Sequence, residues 1–126
     1  MIKKILLYYP SFEKGGATQN LINIVNYFLK KKIEIYLFSH KANTKYFFKS
    51  NYLKIINSKP VKYFNFLPIR WNLALSSALN LNYYSKSIGK NSIIFSMQSH
   101  IPAIIISKLN KKKISIRNSE EPLGAT

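Results

Sequence analysis

The sequence has no cysteine, and among its 126 residues only four glycines, two arginines, four acidic residues and one tryptophan. Without cysteine there is no disulfide framework and no thiolate metal site, which fits a reducing compartment. No apolar run approaches the roughly 20 residues that a membrane-spanning helix needs. The start, "MIKKILLYYP", is basic and then apolar. It is too short for a signal-peptide core, lacks a small-residue cleavage site and is soon followed by Glu13 and Lys14. These absences suggest a cytoplasmic chain, with room for a peripheral position on the inner face of the cytoplasmic membrane. No internal repeat is visible, and no spacing of His, Asp and Glu suggests a metal-ligand set.

The shortage of acid leaves a formal net charge of +16, from 20 basic and 4 acidic residues. Such a field draws nucleic acid or an anionic membrane. Abundant Lys, Asn, Ile, Tyr and Phe also follow from AT-rich coding, so the charge has two sufficient causes. The lysines look scattered rather than gathered on one face with interleaved aromatics, which argues against nucleic acid.

Hydrophobic residues make up 47% of the chain, enough for a buried core in a single domain of this length. Ile5 to Tyr9 is a continuous apolar run closed by Pro10, the pattern of a strand buried on both faces. Thr18 to Lys31 has helical spacing. Leu21, Ile22, Ile24, Val25, Phe28 and Leu29 form one wide stripe, and Asn20, Asn23 and Asn26 fall opposite. Lys30, Lys31 and Lys32 close this helix at its electronegative end.

A second strand covers Ile33 to Phe38, and residues 41–51 read as a loop with a short helix. Leu53 to Ile56 is a short strand, and 58–68 an irregular connector. Trp71 to Ile88 is a helix expected to carry Trp71, Leu75, Ala78 and Leu79 on one side. Ser92 to Ser96 is a strand. Ile101 to Leu109 is a helix, because a parallel sheet needs a crossover there. Ile114 to Arg117 is the fifth strand. The alternation predicts an α/β fold, a Rossmann-like parallel sheet with helices on both faces. Aromatics at 46–48, 52 and 63–66 could line a ligand groove or dip into a membrane. Their capacity for burial predicts that most of them, and Trp71, belong to the core.

Two of the scarce glycines, Gly15 and Gly16, stand together in "SFEKGGA", between the first strand and the first helix. Ligands of doubly wound sheets bind at the carboxyl ends of the strands, near this turn. Bare backbone there can approach a phosphate, and the helix start supplies free N–H groups. The spacing fits neither the dinucleotide fingerprint nor a phosphate-binding loop ending in GK[ST]. By physics alone, a tight turn and a phosphate cradle remain equally good accounts.

The segment "ILLYYPSFEKGGATQNLINIVNYFLKKKIEIYLFS" resembles the opening of family-4 glycosyltransferases, which have the GT-B fold. Pro10, Ser11, Gly15, Gly16, Ala17 and Glu34 match the family pattern. Thr18-Gln19 replaces its usual Glu-Arg, and Lys32-Ile33 replaces its Gly-His. Residues 91–122 are similar to the later part of the same domain, and the likeness is loose between about 41 and 90. The resemblance implies the single N-terminal, acceptor-side half of a GT-B enzyme. Such enzymes move a sugar from a nucleotide diphosphate sugar to a polysaccharide, oligosaccharide or lipid-linked acceptor. They generally retain anomeric configuration and need no metal or other cofactor. It also implies that Gly15, Gly16 and Ala17 face the donor diphosphate.

The other site candidates follow strand ends. His100 comes after the fourth strand and is the catalytic candidate, contacting acceptor or sugar hydroxyls; capping the next helix is the plainer account. His40 is expected to be a surface residue. Arg117, Asn118 and Glu120 follow the fifth strand, either to hydrogen-bond acceptor or sugar or as a solvated turn before Pro122. Paired carboxylates at 120 and 121 suggest glycosidase chemistry, but adjacent loop positions diverge too far to work together. The runs Lys30–Lys32 and Lys111–Lys113 precede strands, on the edge away from the expected cleft.

The donor-binding second domain expected of such an enzyme is not in these 126 residues. The chain is therefore expected to be inactive alone, as a truncated product, an incomplete gene prediction or the acceptor half of a two-chain enzyme. A different class also fits, a non-catalytic basic module binding an anionic membrane surface or RNA.

Overall fold

A computed structural model describes residues 4–10, 16–42, 44–47, 50–88, 92–97 and 100–116. Its elements are β1 (Lys4–Tyr8), α1 (Gly16–Lys30), β2 (Glu34–Ser39), β3 (Leu53–Asn57), α2 (Ile69–Ser87), β4 (Ser92–Ser96), α3 (His100–Leu109) and β5 (Lys113–Ile116). Single turns of 3-10 helix lie at Thr44–Tyr46 and Lys62–Phe64. The five strands form one sheet in the order β3-β2-β1-β4-β5, and all four pairings are parallel. The fold is α/β and Rossmann-like, as the alternation predicts. The central strands are apolar throughout because both of their faces are covered. Leu6, Leu7, Ile35, Leu37 and Phe38 are fully buried.

One rule of handedness explains which face each connection takes. From β1 the chain moves one way along the sheet to β2 and β3; from β3 it returns past β1 to β4 and β5. Crossovers of one hand running in opposite directions must lie on opposite faces. Accordingly α1 packs on one face, with Leu21, Val25 and Leu29 against Ile5, Leu7, Ile35 and Leu37. The β2–β3 segment lies there too, where buried Ala42 and Phe47 take the place a helix would occupy. On the other face α2 and α3 bring Ala78, Leu81, Ala103 and Ile106 against Leu6, Tyr8, Phe38 and Ile94.

The buried side of α2 differs from the expectation. Trp71 is 65% exposed and Leu79 55% exposed, so neither anchors the core. The buried residues are Asn72, Leu73, Ala74, Ser76, Ser77, Ala78, Leu81 and Ser85. Small side chains let this helix approach the sheet closely. Its serines tolerate burial because Ser76 and Ser85 donate to carbonyls of their own helix, at Leu73 and Asn82. Of the other aromatics expected there, Phe47 is buried, whereas Tyr46, Tyr52, Tyr63 and Phe66 are exposed; Phe48 and the Phe64 side chain lie outside the described residues. The reading that most of them are core is corrected. Tyr63 and Phe66 stand on the connector between β3 and α2.

Both lysine runs follow helix ends, at the amino edge of the sheet. Lys32 and Lys111 adopt left-handed backbone, with φ of 60° and 54°. Each closes its helix in the same way. The N–H of Ile33 reaches the Phe28 carbonyl at 3.1 Å, and that of Lys112 reaches the Ser107 carbonyl at 2.9 Å. Among the described residues no helix is long and apolar enough to cross a membrane.

Candidate functional site

The chain reverses direction along the sheet between β1 and β4, so their carboxyl ends form the switch point where a crevice opens. From β1 the connection leads to α1 on one face. From β4 it leads to α3 on the other. The two flanking turns therefore border the crevice from opposite sides. Pairing continues just beyond the strands: Tyr9 N–H donates to the Phe38 carbonyl at 3.0 Å, and Met97 N–H to the Tyr8 carbonyl at 3.2 Å.

Helix α1 starts at Gly16, two residues earlier than its spacing suggests. Gly16 and Ala17 thus belong to its first turn, where backbone N–H groups have no partner within the helix. The position of this turn is fixed from below. The Tyr9 ring is buried in the α1-side core, and its hydroxyl shares a 2.9 Å hydrogen bond with Oγ1 of Thr18. Thr18 is itself buried. A strand-end tyrosine thereby holds the helix start against the carboxyl edge of the sheet. Gly15 lies outside the described residues.

His100 is the first residue of α3 rather than part of a preceding loop. Its Nδ1 lies 2.8 Å from Oγ of Ser96, the last residue of β4. Ser96 is fully buried, so this bond sets the plane of a half-buried ring. Any contact of the ring with a substrate then falls to Nε2. Arg117, Asn118 and Glu120 lie outside the described residues; β5, which they follow, ends at Ile116 on this same edge. The structure thus places the starts of α1 and α3, whose first residues are Gly16 and His100, at the carboxyl edge of the adjacent strands β1 and β4. His40, expected to be a surface residue, is half-buried, and its Nδ1 lies 2.7 Å from the Ser58 carbonyl.

Three supporting side chains, Tyr9, Thr18 and Ser96, escaped the reading of the sequence. The signal for Ser96 was present, as a hydroxyl residue ending an otherwise apolar strand. The pairing of Tyr9 with Thr18 spans a turn and has no periodic signature. Farther along the same edge, Tyr8 donates its buried hydroxyl to the Ala74 carbonyl at 2.5 Å. Burial pushes this phenol well above its ordinary pKa. Ser39, at the end of β2, is fully buried, and its hydroxyl has no partner among the described residues.

Glu34, at the opposite edge of the sheet, is the only acidic side chain among the described residues. No group of three His, Asp or Glu residues among them could hold a metal ion. A cavity of about 270 Å³ lies beside α1, lined by Asn23, Ile24, Tyr27, Phe28 and Phe95. It is almost wholly apolar and separate from the switch point.

The chain matches no protein-family model and no curated protein. What the crevice can do is therefore argued from its own groups. A bare helix start offers N–H donors and a positive dipole end to an anion. On the opposite side stands an imidazole whose Nδ1 is held by Ser96.

Proposed function

We propose that this chain is the acceptor-side half of a GT-B glycosyltransferase similar to family 4. It would serve transfer from a nucleotide diphosphate sugar to a glycan or lipid-linked acceptor. The observation that carries the reading is the convergence of the glycine-led start of α1 and the Ser96-held His100 on one switch point. In this reading the N–H groups of Gly16 and Ala17 face the donor diphosphate, with Gly15 before them. Negative charge grows on that diphosphate as the sugar departs, so donors already in place stabilise the transition state more than the ground state. His100 Nε2 hydrogen-bonds an acceptor or sugar hydroxyl and holds it for attack. Arg117, Asn118 and Glu120 are proposed to complete the acceptor side.

In this reading most of the donor contacts would come from a second domain. A lipid-linked acceptor would draw the domain into peripheral contact with an anionic bilayer. The test is ligand-observed NMR with nucleotide diphosphate sugars, in salt high enough to screen the +16 charge. Weak binding that disappears in the Gly15→Val/Gly16→Val variant is expected. Absence of binding by the unaltered chain would remove the donor from this crevice.

A further inference from the structure

Between the end of β3 and the body of α2 the chain makes a compact loop whose two ends meet at one side chain. Buried Asn72 accepts the Val61 N–H at 2.7 Å and donates to the Val61 carbonyl at 3.1 Å. The chain between them is held by its own turns. Asn65 N–H reaches the Lys62 carbonyl at 3.1 Å, and Trp71 N–H the Pro68 carbonyl at 3.0 Å. Ends brought together around internally bonded turns mark a packed surface loop.

This well-fastened loop presents the wrong residues for water. Tyr63, Phe66, Ile69 and Trp71 are 87%, 80%, 58% and 65% exposed. Aromatic side chains have much to gain from burial, and a cluster of them left outside marks a contact surface. Lys59, Lys62 and Arg70 are exposed among them. From Ile35 to Ser119 the chain carries no acidic residue, so the sequence around the loop is uniformly basic. The loop also has a defined place. The Tyr8–Ala74 bond, and a 2.7 Å bond between Ser58 and Ser77, fix the start of α2 over the strand carboxyl ends. The loop therefore stands on the same edge of the sheet as the crevice.

We infer that residues 61–72 form a membrane-docking loop that inserts its aromatic tip into the interface of an anionic bilayer. This names the surface for the peripheral contact proposed above and rests on that contact, not on sugar transfer. Tryptophan and tyrosine favour the headgroup level, where an apolar ring and a polar tip are both satisfied. Neighbouring lysine and arginine gain from anionic headgroups. Exposed Ile69 favours lipid over nucleic acid, since an aliphatic side chain offers a base neither stacking nor a hydrogen bond. Docking through this edge would lay the crevice along the bilayer.

Trp71 is the only tryptophan, so its emission reports on the loop without a label. The full chain is titrated with vesicles of phosphatidylcholine, with and without phosphatidylglycerol, and with brominated acyl chains. A blue shift and bromine quenching are expected on the anionic vesicles alone. Tyr63→Ser/Phe66→Ser should weaken partitioning about tenfold or more, by the burial it forfeits. Failure to sediment with anionic vesicles would overturn the peripheral contact and the loop assignment together. Sedimentation with Trp71 left in water would overturn the loop assignment alone and leave adsorption by charge. A shift on single-stranded RNA but not on vesicles would overturn it in favour of nucleic acid.

Discussion

Helices α1 and α2 both cover the central strands, but they do so by different means. Helix α1 uses bulk: Leu21, Val25 and Leu29 descend one stripe into the core, with Ile22, Ile24 and Phe28 beside them. Helix α2 uses closeness. It lays Ala74, Ser77 and Ala78 on the sheet and is fastened by hydrogen bonds, Tyr8 to Ala74 and Ser58 to Ser77. Trp71, Leu79 and Tyr83 face outward, while Leu73 and Leu81 are buried beside the small residues and the Tyr84 ring packs on Phe38. On α2 side-chain size alone does not predict burial: Leu81 is buried and Leu79 exposed, while small and polar residues lie between helix and sheet. A helix held by small residues and hydrogen bonds leaves some large residues for other work.

The sharpest break in the comparison is a pair of truncations. Leu21→Ala should cost about 2–5 kcal/mol in unfolding free energy, because the stripe cannot close over the cavity. Trp71→Ala should stay within about 0.5 kcal/mol in the absence of lipid, where a buried tryptophan would cost several times more. Urea melts of both variants decide it. A large loss at Trp71 would return that side chain to the core and remove the tip of the proposed docking loop.

A smaller effect tests the fastening of α2. Tyr8→Phe keeps the ring and removes the bond to Ala74, for a loss of about 1 kcal/mol near neutral pH. The loss should shrink in alkali. In the unfolded chain the phenol ionises near pH 10, whereas the folded protein holds the proton to higher pH. The stabilisation is thus complete below about pH 10 and falls above it by up to about 1.4 kcal/mol per pH unit. The gap between wild type and variant, measured at about pH 8 and about pH 11, should narrow or reverse. An unchanged gap would mean that the hydroxyl is not shielded from solvent.

The same contrast explains what was legible in the sequence. Parallel strands covered on both faces read as unbroken apolar runs, so "ILLYY" and "IEIYLF" announced β1 and β2. The stripe of α1 announced that helix, and the alternation of elements announced the sheet. The buried face of α2 was hidden because its pattern is polar. Asn72, Ser76, Ser77 and Ser85 read as solvent-facing until their partners at Val61, Leu73, Ser58 and Asn82 are known. The ties that place the candidate site, Tyr9 to Thr18 and Ser96 to His100, pair side chains across turns, where periodicity carries no information.

The smallest effect lies where the helices end, and it reverses sign. Helix α2 leaves its last turn through Ile88 in extended backbone, at φ −88° and ψ 139°, which any residue adopts without strain. Helices α1 and α3 instead turn back through Lys32 and Lys111 in left-handed backbone, a position that favours glycine. At Lys32 the resembled family carries its glycine. A side chain there brings Cβ close to the following carbonyl, at a cost of about 1 kcal/mol. Glycine relieves that contact but gives the unfolded chain more freedom to lose, so only part of the cost returns. Lys32→Gly should therefore stabilise the fold by a few tenths to about 1 kcal/mol, seen as a rise in Tm of a few degrees. Ile88→Gly, with no strain to relieve, should lower Tm instead. A fall in Tm for Lys32→Gly would mean that the lysine makes contacts at the amino edge that outweigh its backbone strain.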